Sequence, residues 1–161
     1  MGEKIKPSVT AFISFKPGSN GKFIAFLSLE GLGSFNKDPE RILREAAELY
    51  ERAIGEIRLV IAGISKSRSE RKPVSARTVW EVGERIYELK EKLERLCFQL
   101  DGLYVHLARD LNVKRKWLEK AVIFRRYLPR ENVIPRALNW GKCEKGTRRV
   151  AEKLRDRQPV I

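Results

Sequence analysis

Histidine and cysteine are almost missing from this chain: His106, Cys97 and Cys143 are all it has. Two cysteines without a second Cys-x-x-Cys arm or a histidine cluster do not make a zinc site or a disulfide framework, so no metal and no cofactor are expected. No apolar run approaches the roughly 18 residues that a membrane-spanning helix needs, and the N-terminus, MGEKIKPSVT, lacks the apolar stretch of a secretory signal. A cytoplasmic protein with no membrane association is the expectation. Gly-rich phosphate loops, nucleophile elbows and zinc signatures are missing as well. Glutamates do recur, as Glu40, Glu45, Glu48, Glu51 and Glu56 and again as Glu81, Glu84, Glu88, Glu91 and Glu94. A di-iron bundle would need Glu-x-x-His pairs, and Lys and Arg interleave with these Glu at three and four positions, which marks exposed helix faces. No catalytic residue is assigned, and no enzymatic activity is expected.

Positive charge is what the chain has in excess. Its 34 Lys and Arg stand against 21 Asp and Glu, for a net charge of +13 and a pI near 10.0. Residues 101–161 hold 16 of those cations against 7 acids, and so +9 of the total. A field concentrated in this way points to a polyanionic partner. The competing reading is a Lys/Arg/Glu-rich surface of the thermophile type, which the scarcity of amide side chains also fits. With 42% hydrophobic and 34% charged residues in 161, the chain can bury a real core and should fold.

The periodicities predict a mainly α fold: an N-terminal β-hairpin, then a long helical hairpin, then a helix-turn-helix. Residues 1–35 read as a hairpin appendage and 36–161 as a helical domain. Val9, Ala11, Ile13 and Phe15 alternate before the turn-forming KPGSNGK, and Phe23, Ala25, Leu27 and Leu29 alternate after it. With Phe12, Ile24 and Phe26 on the other face, the hairpin is expected to pack on helices or pair across a dimer. Asp38 and Pro39 suit a helix start. From there Ile42, Ala46, Leu49, Ala53, Ile57, Val60 and Ile64 form one stripe over about 39–64. A polar, basic connector is expected over 65–73. Ser75 then caps a second helix that carries Val79, Val82, Ile86, Leu89, Leu93, Leu96 and Leu100 to about residue 99.

The densest basic run coincides with a helix-turn-helix pattern over 101–128. A first helix carries Leu103, Leu107, Ala108 and Leu111. Ala108 is the small residue expected at a close crossing, and Asn112 can take the left-handed turn. Val113, Leu118 and Ala121 are expected to face inward. On the second helix Arg115 and Lys116 are the candidates for base edges, while Lys114, Lys120, Arg125 and Arg126 are candidates for phosphate. Trp117 is assigned either to stacking on a sugar or base or to packing between helices. NVIPRALNW, 132–140, is expected to form a short turn or helix that packs Ile134, Leu138 and Trp140 beneath the motif. A last helix over about 144–157 brings Lys145, Arg148, Arg149, Lys153 and Arg155, with Arg148 and Arg149 as further DNA-contact candidates.

From about residue 79 to 140, VWEVGERIYE, LYVHLARDL, NVKRKWLEKAVIFRRYLP and LNW follow one another. This order resembles the N-terminal helix-turn-helix domain of a family of restriction-like PD-(D/E)XK nucleases. Trp80, Gly83 and Ile86, then Leu107 and Leu111, then Phe124 to Leu128, then Leu138 and Trp140 carry the resemblance. The N-terminal hairpin departs from that pattern, and no nuclease domain follows within the 161 residues. The resemblance therefore implies a stand-alone binding module. Double-stranded DNA is the expected partner and a homodimer the expected state. Duplex RNA, or a protein partner held by the long helix pair, are the alternatives.

Overall fold

The computed structural model describes residues 9–13, 23–27, 39–96, 98–100 and 102–157. The protein is mainly helical: α1 spans Pro39–Ser69, α2 Ala76–Arg95, α3 Leu103–Leu111, α4 Arg115–Tyr127 and α5 Thr147–Arg155. Short 3-10 turns at Glu131–Val133 and Trp140–Lys142 link α4 to α5. The backbone of β1, Val9–Ile13, runs antiparallel to β2, Phe23–Leu27, and β2 pairs in the same sense with β3, Phe98–Leu100. Residues 14–22, where the hairpin turn is expected, lie outside the described residues.

The apolar stripe makes α1. Ile42, Ala46, Ala53, Ile57 and Ile64 are buried as the spacing requires, joined by Tyr50 and Ile54. The helix continues past Ile64 to Ser69, so the first part of the expected connector is helical. A solvent-facing last turn needs no apolar residue. Here Lys66 and Arg68 suit the negative end of the helix dipole. Arg71 then turns the chain with a left-handed φ of 57°, which lets the Lys72 amide donate to Ser67 O at 2.8 Å.

Ser75 caps α2 by accepting from the Arg77 amide at 3.3 Å. α2 ends at Arg95 rather than near residue 99, because Phe98 and Leu100 also alternate as a strand does. They are buried in β3, whose backbone lies opposite Leu27 and Ala25. α1 and α2 run antiparallel: Glu56 pairs with Arg85 at 3.6 Å, while Leu49, early in α1, shares a hollow with Lys92, late in α2.

The most extensive helix packing joins α2 to α4. It has no room to spare. A Cβ on Gly83 would stand 2.1 Å from the Ala121 carbonyl oxygen and 2.7 Å from its carbon. The expectation placed the small residue of the close crossing at Ala108. That position, on α3, is half-buried and packs against the core; a further close approach, between α2 and α4, lies at Gly83 and Ala121. Beside it, Trp80 donates its indole N–H to Leu128 O at 2.7 Å. The segment after α4 is tied back to the start of α2, with Ala76 N to Leu138 O at 2.9 Å and Trp140 N to Val74 O at 2.8 Å. As expected, Ile134 and Trp140 are buried under the motif; Leu138 is half-buried. The Trp140 ring meets Phe124 edge-on at 5.4 Å. α5 begins at Thr147, later than expected, and buries Ala151 and Leu154.

Two glycine substitutions separate close approach from helix propensity. Gly83→Ala should lower stability by about 1–3 kcal/mol, because α2 and α4 must move apart. Gly55→Ala, at a helical site with nothing within 4 Å of its Cβ, should leave stability unchanged or raise it by up to about 1 kcal/mol. Urea denaturation of both variants and wild type reads the difference.

Candidate nucleic-acid interface

α3, the turn and α4 form the helix-turn-helix unit that the residue pattern anticipates. Asn112 adopts φ 53° and ψ 49°, the left-handed conformation that asparagine tolerates better than most residues. Its amide donates to Arg109 O at 3.3 Å and the next amide, of Val113, to Ala108 O at 3.0 Å, closing the end of α3. Leu107, Leu111, Leu118 and Ala121 are buried between the two helices and the rest of the core, and Val113 is half-buried.

A polar clamp fastens α3 to α1. The Asp110 side chain has no solvent exposure and accepts from the Tyr50 hydroxyl at 2.6 Å. The Arg109 guanidinium approaches the other carboxylate oxygen at 3.5 Å, and Arg58 of α1 donates to the Asp110 carbonyl at 2.9 Å. Burial, followed by the hydrogen bond and negative charge of Asp110, pushes the Tyr50 phenol well above its ordinary value, so the hydroxyl remains a donor. Neither Tyr50 nor Asp110 was among the expected core or site residues. Tyr50 follows the four-residue spacing of the α1 stripe, which was the available signal.

The expected contact residues divide into three groups. Lys114, Arg115, Lys116, Arg126, Arg148 and Arg149 are exposed. Arg115 forms an i,i+4 pair with Glu119 at 3.4 Å, a surface pair that a phosphate can replace at little cost. Lys120 and Trp117 are half-buried, and Trp117 packs against the core while still lining the surface beside α1. Arg125 is turned inward. It pairs with Glu84, lies over Tyr87 at 4.3 Å and Trp80 at 5.9 Å, and keeps 15% side-chain exposure. The expectation of a phosphate contact at Arg125 meets a side chain already engaged in holding α4 to α2.

α5 joins the same surface. Arg148 stacks over Tyr127 at 4.7 Å and Arg126 lies 5.9 Å from the same ring, so the end of α4 and the start of α5 present their cations together. Tyr127 was missed as an organiser. Its signal lay in the FRRYLP run, where an aromatic follows two arginines. Both helices start without a side-chain cap and with no acid in the first turn; Arg115 and Lys116 begin α4, and Arg148 and Arg149 follow Thr147 in α5. Among the described residues, no group of three or more His, Cys, Asp and Glu is placed to hold a metal ion, and no helix is long and apolar enough to cross a membrane.

Tyr50→Phe should cost about 1–3 kcal/mol, since it takes a donor from a buried carboxylate; guanidinium denaturation measures it. Arg125→Ala should cost about 2 kcal/mol, whereas Arg126→Ala should fall within about 0.5 kcal/mol of wild type. Equal losses in thermal melts of these two would contradict the division between inward and outward arginines.

The chain matches no protein-family model, no curated protein and no solved structure.

Proposed function

We propose that this protein binds nucleic acid, duplex DNA foremost, through the outward surface of α4 and the start of α5. One observation carries the reading: two uncapped helix N-termini bear arginine and lysine where acids are favoured. A cation in the first turn opposes the helix dipole by about 0.3–1 kcal/mol. A phosphate reverses that sign, because it meets the dipole, the bare backbone N–H groups and the side-chain cations at once.

The dimensions suit a duplex. From Arg115 to Tyr127 α4 is about 18 Å long at 1.5 Å per residue, or about five base-pair steps at 3.4 Å. Arg115 and Lys116 then reach base edges from the N-terminal end of α4, while Lys114, Lys120, Arg126, Arg148 and Arg149 contact phosphates. Arg125 serves the fold. The resemblance of residues 79–140 to a nuclease helix-turn-helix domain supports the same reading of this segment as a binding module.

Binding of full-length protein to random-sequence duplex DNA over a salt series tests the proposal. Wild type should show a steep negative slope of log K against log salt, about −0.9 per phosphate neutralised. Lys114→Ala/Arg126→Ala and Arg148→Ala/Arg149→Ala, which remove phosphate contacts, should each reduce the slope by about one to two and keep a wild-type circular dichroism spectrum. Unchanged binding in both folded variants, or no binding by wild type, overturns it. Stronger competition by duplex RNA than by duplex DNA would reassign the partner.

A further inference from the structure

A cleft of about 730 Å³ separates the last turns of α1 from the start of α4. Its size lies in the roughly 300–1,000 Å³ range of clefts that enclose small ligands. Part of the wall is apolar: Ile64 is buried, and Ile61 and Trp117 are half-buried and line the cleft. Four cations line it, Arg68 from α1 and Lys114, Lys116 and Lys120 from around the start of α4, against the single carboxylate of Glu144.

These two linings ask for different parts of one ligand. A phosphodiester satisfies the cations but not the apolar wall. A duplex offers its backbone outward and keeps its base faces stacked inside, so it can bring no base face to Trp117. An unpaired nucleotide supplies both, a flat base for the indole and aliphatic side chains and a phosphate for the rim. We propose that the cleft between α1 and α4 holds one or two nucleotides of an unpaired strand, with the base against Trp117 and the phosphates at Arg68, Lys116 and Lys120. This rests on the nucleic-acid reading above but not on its choice of a duplex. Lys116 and Lys120 belong to both the outer face of α4 and the cleft, so a duplex and an unpaired strand compete for them, and Arg68 is the cation that serves the cleft alone.

Tryptophan fluorescence of the full chain provides the test. Of its three tryptophans, Trp80 and Trp140 are only 8% and 4% exposed, so quenching by a bound base reports Trp117. A short oligothymidylate should quench saturably, and Trp117→Phe should remove most of that signal. Arg68→Glu, at an exposed site on α1, should weaken oligothymidylate binding by about tenfold or more and leave blunt-duplex affinity within about twofold. Thymidine monophosphate and inorganic phosphate form the control arms. No quenching, or an Arg68→Glu variant that binds the oligothymidylate like wild type, overturns the proposal. Equal losses of single-strand and duplex binding in Arg68→Glu also overturn it, since the cleft would then be part of a general phosphate surface. Thymidine monophosphate binding as tightly as the oligomer would overturn the strand and leave a free-nucleotide site. Single-strand binding without duplex binding would instead uphold the cleft and reject the duplex reading.

Discussion

The contact between Gly83 and Ala121 sets the distance on which the rest of the helical packing depends. The Ala121 carbonyl occupies the space that a side chain on Gly83 would take, so the backbones of α2 and α4 come into direct contact there. At that distance the Trp80 indole reaches Leu128 O, and Arg125 reaches Glu84 and the Tyr87 ring. Three directional contacts on one side of α4 fix its rotation as well as its position. Which cations face solvent follows from that rotation, because the residues on the opposite side of the helix have no choice of direction.

The second constraint is polar. A buried carboxylate is costly unless its lone pairs are filled, and Asp110 is filled by Tyr50 and approached by Arg109. Arg58 holds the backbone of the same residue. Apolar packing alone would let α1 slide along α3 by small amounts. A buried hydrogen bond to one oxygen tolerates far less displacement. The clamp therefore sets where the last turns of α1 stand against the start of α4, and with that the width of the cleft lined by Arg68 and Lys116.

Electrostatics separate along the same lines. A count of basic residues treats Arg125 and Arg126 as equivalent, although they are neighbours on opposite duties: one is enclosed by Glu84, Tyr87 and Trp80, the other is open beside Tyr127. Arg148 comes to the same ring from α5. The Tyr127 ring gathers two cations that the chain places more than twenty residues apart. The exposed positive surface is thus smaller than the net charge suggests, and more concentrated.

Much of this was legible in the residue order. Three- and four-residue apolar spacing marked α1 and α2, Ser75 marked the start of α2, and Asn112 marked the left-handed turn, because these are local properties of short stretches. The basic run on α4 was readable for the same reason. The end of α1 was not, since a solvent-facing last turn of Lys, Arg and Ser carries no periodic signal. The end of α2 was missed because Phe98 and Leu100 satisfy a strand and a helix equally, and pairing with a distant strand decides between them. Sequence by itself determined the helices, the turn and the net charge. Only the tertiary structure decided that Gly83 meets Ala121 where α2 crosses α4, that Arg125 belongs to the fold, and that Arg68 and Arg148 join α4, because each depends on which distant surfaces meet.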